Sequence, residues 1–344
     1  MELRKARFWE KQEDGAVRCR LCPHGCVILS DKTGVCGVRE VRDGVLYSMN
    51  YGLLSSLALD PVEKKPLYHF HPGSYLFSVG SYGCNLGCLF CQNWQISQER
   101  PNLYRATPSQ VVDLALEQKR KHPRVTGIAY TYNEPTVFME FILDTAALAK
   151  QAGLSNVLIT NGYISTEALS EALPLVDALN IDVKGWTEEF YRRTVKGRLA
   201  PVMRAVEQAV EQAWVEVTYL VIPGENDRDE DVGGLARWLH QLSPSIPLHL
   251  SRYFPNYKFE SPATPVGTLE RLRDIAREHL HYVYIGNAWK KGYADTLCPE
   301  CHTLLLARGG LELEESRLEG GSCPKCGREL EMRGEVWVNA TNAM

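Results

Sequence analysis

Seven apolar runs recur between about residues 73 and 292: SYLFSVG (74–80), VTGIAYTYNEP (125–135), SNVLITNG (155–162), ALNIDVKG (178–185), WVEVTYLVIPG (214–224), IPLHLSRYFP (246–255) and HYVYIGN (281–287). Several are near-continuous and rich in β-branched residues, the pattern of parallel strands covered on both faces. Between them the apolar positions take helical spacing. TPSQVVDLALEQKRKH (107–122) opens with Thr107 as a cap and Pro108 at the first helical position. EPTVFMEFILDTAALAKQAG (134–153) ends at Gly153, a C-terminal helix stop, and TLERLRDIAREHL (268–280) carries an apolar stripe. Repeated β-α units predict an α/β fold, either a (β/α) barrel or a doubly wound sheet. The strand ends favour a partial (β/α) barrel. SYGCN, YTYNEP, ITNG, DVKG, VIPGEND and SRYFP all fall at C-terminal ends of predicted strands, the face on which such barrels build their active sites. In an open sheet only the loops near a switch point converge.

The flanks break this rhythm. Residues 1–72 are turn-rich and Cys-rich, residues 73–294 carry the barrel pattern, and residues 295–344 hold two C-x2-C pairs around the charged stretch ARGGLELEESRLEGG. Three units are therefore expected. The segment DPVEKKPLYHFHPGS (60–74) is expected to cross the barrel mouth, with Lys64 and Lys65 either meeting an anionic substrate group or forming a solvated basic patch.

Composition narrows the class. The 344 residues are 44% hydrophobic and 23% charged, ordinary for a globular protein with a sizeable core. A formal net charge of −4 gives no global pull on a nucleic-acid backbone. There is no apolar leader and no run of about eighteen apolar residues, so a cytoplasmic protein without a membrane partner is expected. The anomaly is eleven cysteines, every one in a group: Cys19, Cys22, Cys26 and Cys36; Cys84, Cys88 and Cys91; Cys298, Cys301, Cys323 and Cys326. An odd total and tight C-x2-C spacing point to metal ligation rather than disulfides.

The C-terminal group, C-x2-C-x21-C-x2-C with CPEC and CPKCG knuckles, has zinc-ribbon spacing. Its intervening loop is acidic, which makes nucleic acid an unfavourable partner. The N-terminal group, C-x2-C-x3-C-x9-C, suits either a closed zinc site or an auxiliary iron–sulfur cluster. The central group, C-x3-C-x2-C, has three thiolates, enough for three irons of a four-iron, four-sulfur cluster and one short of closing it. The fourth iron is then free to take a small molecule bearing an amine and a carboxylate. Phe90, just before the last cysteine, sets an aromatic face beside it.

This central motif resembles the signature of the radical S-adenosylmethionine (SAM) superfamily. The resemblance implies a 4Fe–4S cluster on Cys84, Cys88 and Cys91 that chelates SAM and reductively cleaves it to a 5′-deoxyadenosyl radical, which abstracts hydrogen from a substrate. It also implies SAM contacts from Phe90, Glu134, Thr160, Asn161, Asp182 and Lys184. Tyr132–Asn133–Glu134–Pro135 stands where the superfamily commonly has Gly-Gly-Glu-Pro. Thr160–Asn161–Gly162 and Asp182-x-Lys184 are similar to elements of glycyl-radical activating enzymes, although Ile159 stands where those enzymes usually have Asp. His249 and Arg252 alternate with apolar residues and are expected to reach the same pocket. More narrowly, CRLCPHGC…GVCGVRE, DPVEKKPLYHF, GCNLGCLFCQNWQISQ, AYTYNEPT and YVYIGN, in this order, resemble the AmmeMemoRadiSam system radical SAM enzymes, relatives of pyruvate formate-lyase activating enzyme. The expected partners are a small-molecule or protein substrate and an electron donor such as flavodoxin or ferredoxin. The alternatives are a glycyl-radical enzyme activase and, from another class, a non-catalytic zinc-binding scaffold.

Overall fold

The near-continuous apolar runs become strands in which almost every position is buried, because both faces of their sheet are covered. A computed structural model describes residues 3–13 and 15–339. The last positions of the expected C-terminal unit, 340–344, lie outside the described residues. Its core is an 8-stranded sheet of β1 (Ser56–Pro61), β2 (Tyr75–Gly80), β3 (Val125–Tyr130), β4 (Ser155–Thr160), β5 (Ala178–Asp182), β6 (Trp214–Val221), β7 (Leu248–Arg252) and β8 (Val283–Gly286). Each strand pairs with its neighbour in chain order. β2 to β8 are parallel and β1 runs antiparallel along β2. Among the described residues β1 and β8 are the two edges, so the barrel is partial and the sheet does not close.

The connecting helices are α1 (Pro108–Lys121), α2 (Met139–Gln151), α3 (Thr166–Ala172), α4 (Leu199–Val210), α5 (Asp229–Leu242) and α6 (Val266–Arg277). Thr107 caps α1 in a reciprocal capping box with Gln110. Gly153 follows α2 with φ of 71°, a conformation glycine adopts without penalty. The buried faces of α4, α5 and α6 join those of the strands in one large core.

Two expectations change here. The edge strand β1 comes from within residues 1–72, so the sheet begins before residue 73. The segment after it also does not cross the mouth. Val62, Leu67 and Phe70 pack against Leu76, Val157 and Ala178, residues in the lower or middle part of their strands, and against Ala129. The Asn180 side-chain amide donates to the Pro66 carbonyl at 2.7 Å. The strap therefore plugs the N-terminal end of the partial barrel, opposite the loops that carry the polar motifs. Apolar burial selects this end, since Val62, Leu67 and Phe70 have no comparable surface to cover at the polar end.

The C-terminal residues clamp this strap. Short strands Thr296–Leu297, Leu304–Gly309 and Glu312–Ser316 form a small sheet. The chain beyond it bonds back to the strap through His71 N to Arg333 O, Arg333 N to His69 O and Trp337 N to Pro72 O. At the other end, the N-terminal residues build two small three-stranded sheets and lie beside the C-terminal ends of the central strands. There Ser165 N donates to Leu21 O, and the His24 ring lies 2.6 Å from the Asn85 carbonyl oxygen.

Candidate functional site

The loop after β2 carries Cys84, Cys88 and Cys91, and it is held from several directions. Asn133 accepts from Ser81 N at 2.8 Å and donates to Gly83 O at 3.1 Å. It thereby fixes the backbone entering the cysteine loop, at one of the two positions where the superfamily commonly has glycine. Gly87 N and Leu89 N donate to Val195 O and Thr194 O, anchoring the loop to a π-type turn at Tyr191–Val195. Gly83 has φ of 88°, and a Cβ there would lie 2.8 Å from the Cys36 carbonyl oxygen and 2.7 Å from a Val38 methyl group. Only glycine fits that conformation and that approach.

The side chains around the thiols are those of the neighbouring strand ends. Asn161 donates to Cys84 Sγ at 3.7 Å and to Asn85 Oδ1 at 3.0 Å. Lys184 and Asp182 form an ion pair of 2.7 Å, close enough to Cys88 for the thiol to feel both charges. Burial opposes the Lys184 charge, but Asp182 and Cys88 outweigh it and raise its pKa. Burial raises the Cys84 thiol well above its ordinary value, and it raises Cys88 to about 12 against a lowering by Lys184. Thiols in this state give up their protons on binding a metal rather than before it. Phe90 is buried, stacks on Phe190 with ring centroids 6.2 Å apart, and meets Phe259 edge-on. These rings keep one side of the loop dry.

The donor set fits an iron–sulfur cluster. Among the described residues, the group of ligand atoms lying within 4.8 Å of one another is Cys298, Cys301, Cys323 and Cys326. Cys84, Cys88 and Cys91 do not converge that closely, as expected of thiols that share a core several atoms wide rather than one ion. Cys84, Cys88 and Cys91 would hold the cluster, with Asn161 donating toward one sulfur and Lys184 offsetting its negative charge.

Glu134 and Thr160 have a different task. Glu134 accepts from the Thr160 hydroxyl at 2.6 Å, from Thr136 N at 2.9 Å and from Asn161 N at 2.8 Å. Both carboxylate oxygens are thus engaged within the protein. Burial raises its pKa, with the Thr160 hydroxyl and the Asn161 N–H partly offsetting this. Thr160 faces the helix layer, beside Leu169 and Ala205. These two side chains position the ends of β3 and β4; they do not present free groups to a ligand.

His249 is not at this site. It lies low on β7, where its Nε2 is 2.7 Å from Glu216. Glu216 also accepts from Tyr68 N and His69 N at 2.9 and 2.8 Å, so this network belongs to the plugged end. The strand period put His249 on the lumen face, but its depth along the strand keeps it from the mouth. Arg252, three residues further on, is at the C-terminal end of β7 and donates to Thr264 O. Lys64 is exposed but Lys65 is buried, so the two do not form a shared solvated patch. Both pair with Asp60, at 2.7 and 2.8 Å, and Lys65 is 3% exposed with its ammonium over the Tyr132 ring.

Sequence reasoning named Asn133 and Asn226 only as members of strand-end motifs, and it missed Asn85 as a supporting amide. Asn226 accepts from Ile222 N and donates to the Lys184 carbonyl, which fixes the Asp182–Lys184 turn. The asparagines stand within short polar motifs at strand ends, GCNLG, YNEP and GEND, the signal that could have found them.

Residues 78–236 match the Radical SAM superfamily profile. An uncharacterized protein of Methanocaldococcus jannaschii is 43% identical over 96% of this chain and 99% of its own length. The pyruvate formate-lyase-activating enzyme of Streptococcus mutans is 25% identical over 48% of this chain and 66% of its own length. Among solved structures, SuiB of Streptococcus suis bound to S-adenosylmethionine is 12% identical, with a TM-score of 0.49 over 60% of this chain and 48% of SuiB.

Proposed function

Since residues 78–236 match the Radical SAM superfamily, we propose that the protein is a hydrogen-abstracting enzyme of the AmmeMemoRadiSam type, acting on a small molecule or a protein at the C-terminal face of the partial barrel. When bound, the cluster and SAM supply a 5′-deoxyadenosyl radical. The protein's own part is to hold, orient and shield. Cys84, Cys88 and Cys91 ligate the cluster. Asn161 and the Asp182–Lys184 pair stand beside it to meet SAM, and Phe90 excludes water. Glu134 and Thr160 hold the backbone on which Asn161 sits. The observation that carries this reading is the meeting of three strand ends at one thiol loop: Asn161 at Cys84, Lys184 near Cys88, and Asn133 on the backbone between.

A glycyl-radical activase is the second reading, supported by similarity to pyruvate formate-lyase-activating enzymes. An activase must admit a protein loop, and the N-terminal residues already pack against the Tyr163–Ser165 turn at this face, so we favour the first reading. The converging C-terminal cysteines fit one zinc ion in a ribbon-like module. The abundant free thiols suit a reducing cytoplasm, where a flavodoxin or ferredoxin would supply electrons. Among the described residues no helix is long and apolar enough to cross a membrane.

The test uses anaerobically purified, reconstituted protein, incubated with dithionite and SAM and assayed for 5′-deoxyadenosine. Product that disappears in Cys88→Ala supports the reading. Zinc in all three cysteine groups and no cleavage would sink it in favour of the scaffold. A glycyl radical formed on a tightly bound partner, seen by electron paramagnetic resonance, would favour the activase.

A further inference from the structure

We propose that Cys19, Cys22, Cys26 and Cys36 hold a second iron–sulfur cluster, not a zinc ion. The spacing alone admits both. The geometry separates them. In a tetrahedral zinc site, Zn–S bonds of about 2.3 Å bring the sulfurs to within about 4 Å of one another. The C-terminal four meet this condition, with Sγ–Sγ distances of 3.5 Å for Cys298–Cys326 and 3.6 Å for Cys301–Cys323. The N-terminal four are not such a group among the described residues. They instead wall one pocket, together with Leu21, Ile28 and Val137. Thiols that face a common space without closing on a point suit a core of several metal and sulfide atoms.

The pocket lining also includes a residue with an unused donor. Arg39 lines it and is 1% exposed. Its terminal nitrogens bond to the Arg7 carbonyl and to Glu140, while its buried Nε has no partner. A buried N–H without an acceptor is costly. Cluster sulfurs offer the acceptor, and the guanidinium offsets the net negative charge of iron, sulfide and four thiolates.

The pocket has a second wall of consequence. Asn85, next in sequence to Cys84, lines it, and the Cys36 carbonyl packs directly on Gly83. The two cysteine loops are thus in van der Waals contact, which sets the second cluster beside the first.

The test counts iron, acid-labile sulfide and zinc in reconstituted full-length protein, and in the triple variant Cys84→Ala/Cys88→Ala/Cys91→Ala. The triple variant should keep about four irons with matching sulfide, or about two with two, and an iron–sulfur signal on reduction. Adding Cys22→Ala and Cys36→Ala should remove them and leave about one zinc. If the triple variant fails to fold, Cys36→Ser in the otherwise native chain should lower iron from about eight to about four. About two zincs and no iron in the triple variant, or iron without sulfide, would overturn the proposal. Its failure is distinct from failure of the radical reading, which would remove deoxyadenosine formation without changing what the N-terminal group binds.

Discussion

The two four-cysteine groups at opposite ends of the sheet use one residue type and share the C-x2-C unit, yet the fold gives them different surroundings. The C-terminal thiols close on a point within 4.8 Å and stand beside the strap that plugs the barrel. The N-terminal thiols surround a space, beside a buried arginine with a spare donor and against the loop of Cys84. The contrast teaches that ligand spacing names the element and tertiary packing selects the metal.

The largest expected effect strikes the C-terminal group. The zinc proposed for these thiols would contribute folding free energy outright, on the order of 10 kcal/mol in small domains. Cys323→Ser should therefore unfold residues 295–339 locally and release the strap, detected as protease cleavage there with much of the central sheet still protected from hydrogen exchange. Equal protection in wild type and variant would break the comparison.

The next concerns the arginine of the other cage. Arg39 and Glu140 are a fully buried pair, and removing one partner of such a pair costs about 3–5 kcal/mol. Arg39→Met should lose that much in urea unfolding, and Arg39→Met/Glu140→Met should recover a large part of it. A loss under about 1 kcal/mol for the single variant would mean that the pair is not sealed from water.

A third prediction uses pH. His69 is buried, its ring 2.7 Å from the Glu331 carbonyl oxygen and 2.6 Å from the Tyr284 hydroxyl. Burial lowers its pKa to about 4, with Glu216 opposing and Arg308 and His249 adding to the drop. The unfolded chain takes up this proton first, since its histidine titrates near 6.5. Stability therefore falls as pH is lowered from about 6.5 to about 4, by up to about 3 kcal/mol from this group. The loss should act at the C-terminal clamp and be reduced in His69→Gln. An unchanged slope in that variant would show that other groups carry the dependence.

The smallest effect is at the link between loops. Asn161→Ala removes neutral hydrogen bonds, each worth about 1 kcal/mol, and its donor to Cys84. Melting should shift by a few degrees, iron should be retained, and deoxyadenosine formation should slow. Loss of iron instead would make Asn161 essential to cluster retention.

Much of this was legible in order along the chain. Strand runs, helix caps and the grouping of cysteines are local properties, set by side-chain period, by Thr107 and Gly153 at helix ends, and by ligand spacing. The C-terminal strand ends were therefore readable as the polar face, and Asn161, Asp182 and Lys184 do gather there. Depth and direction were not readable. His249 shares the lumen face with the motifs but lies at the plugged end, and Lys65 is buried on Tyr132 rather than solvated. Glu134 matches a cofactor motif, yet its oxygens are occupied by Thr160, Thr136 and Asn161.

Sequence alone determined the α/β class, the cysteine groups and the thiol loop after the second sheet strand, because each depends on neighbours a few residues apart. Only the tertiary structure decided which end the strap closes, which thiols converge and which polar groups are already satisfied. Those outcomes depend on contacts such as Asn180 with Pro66 and Cys36 with Gly83. The residues in them are far apart along the chain, and burial of apolar surface brings them together.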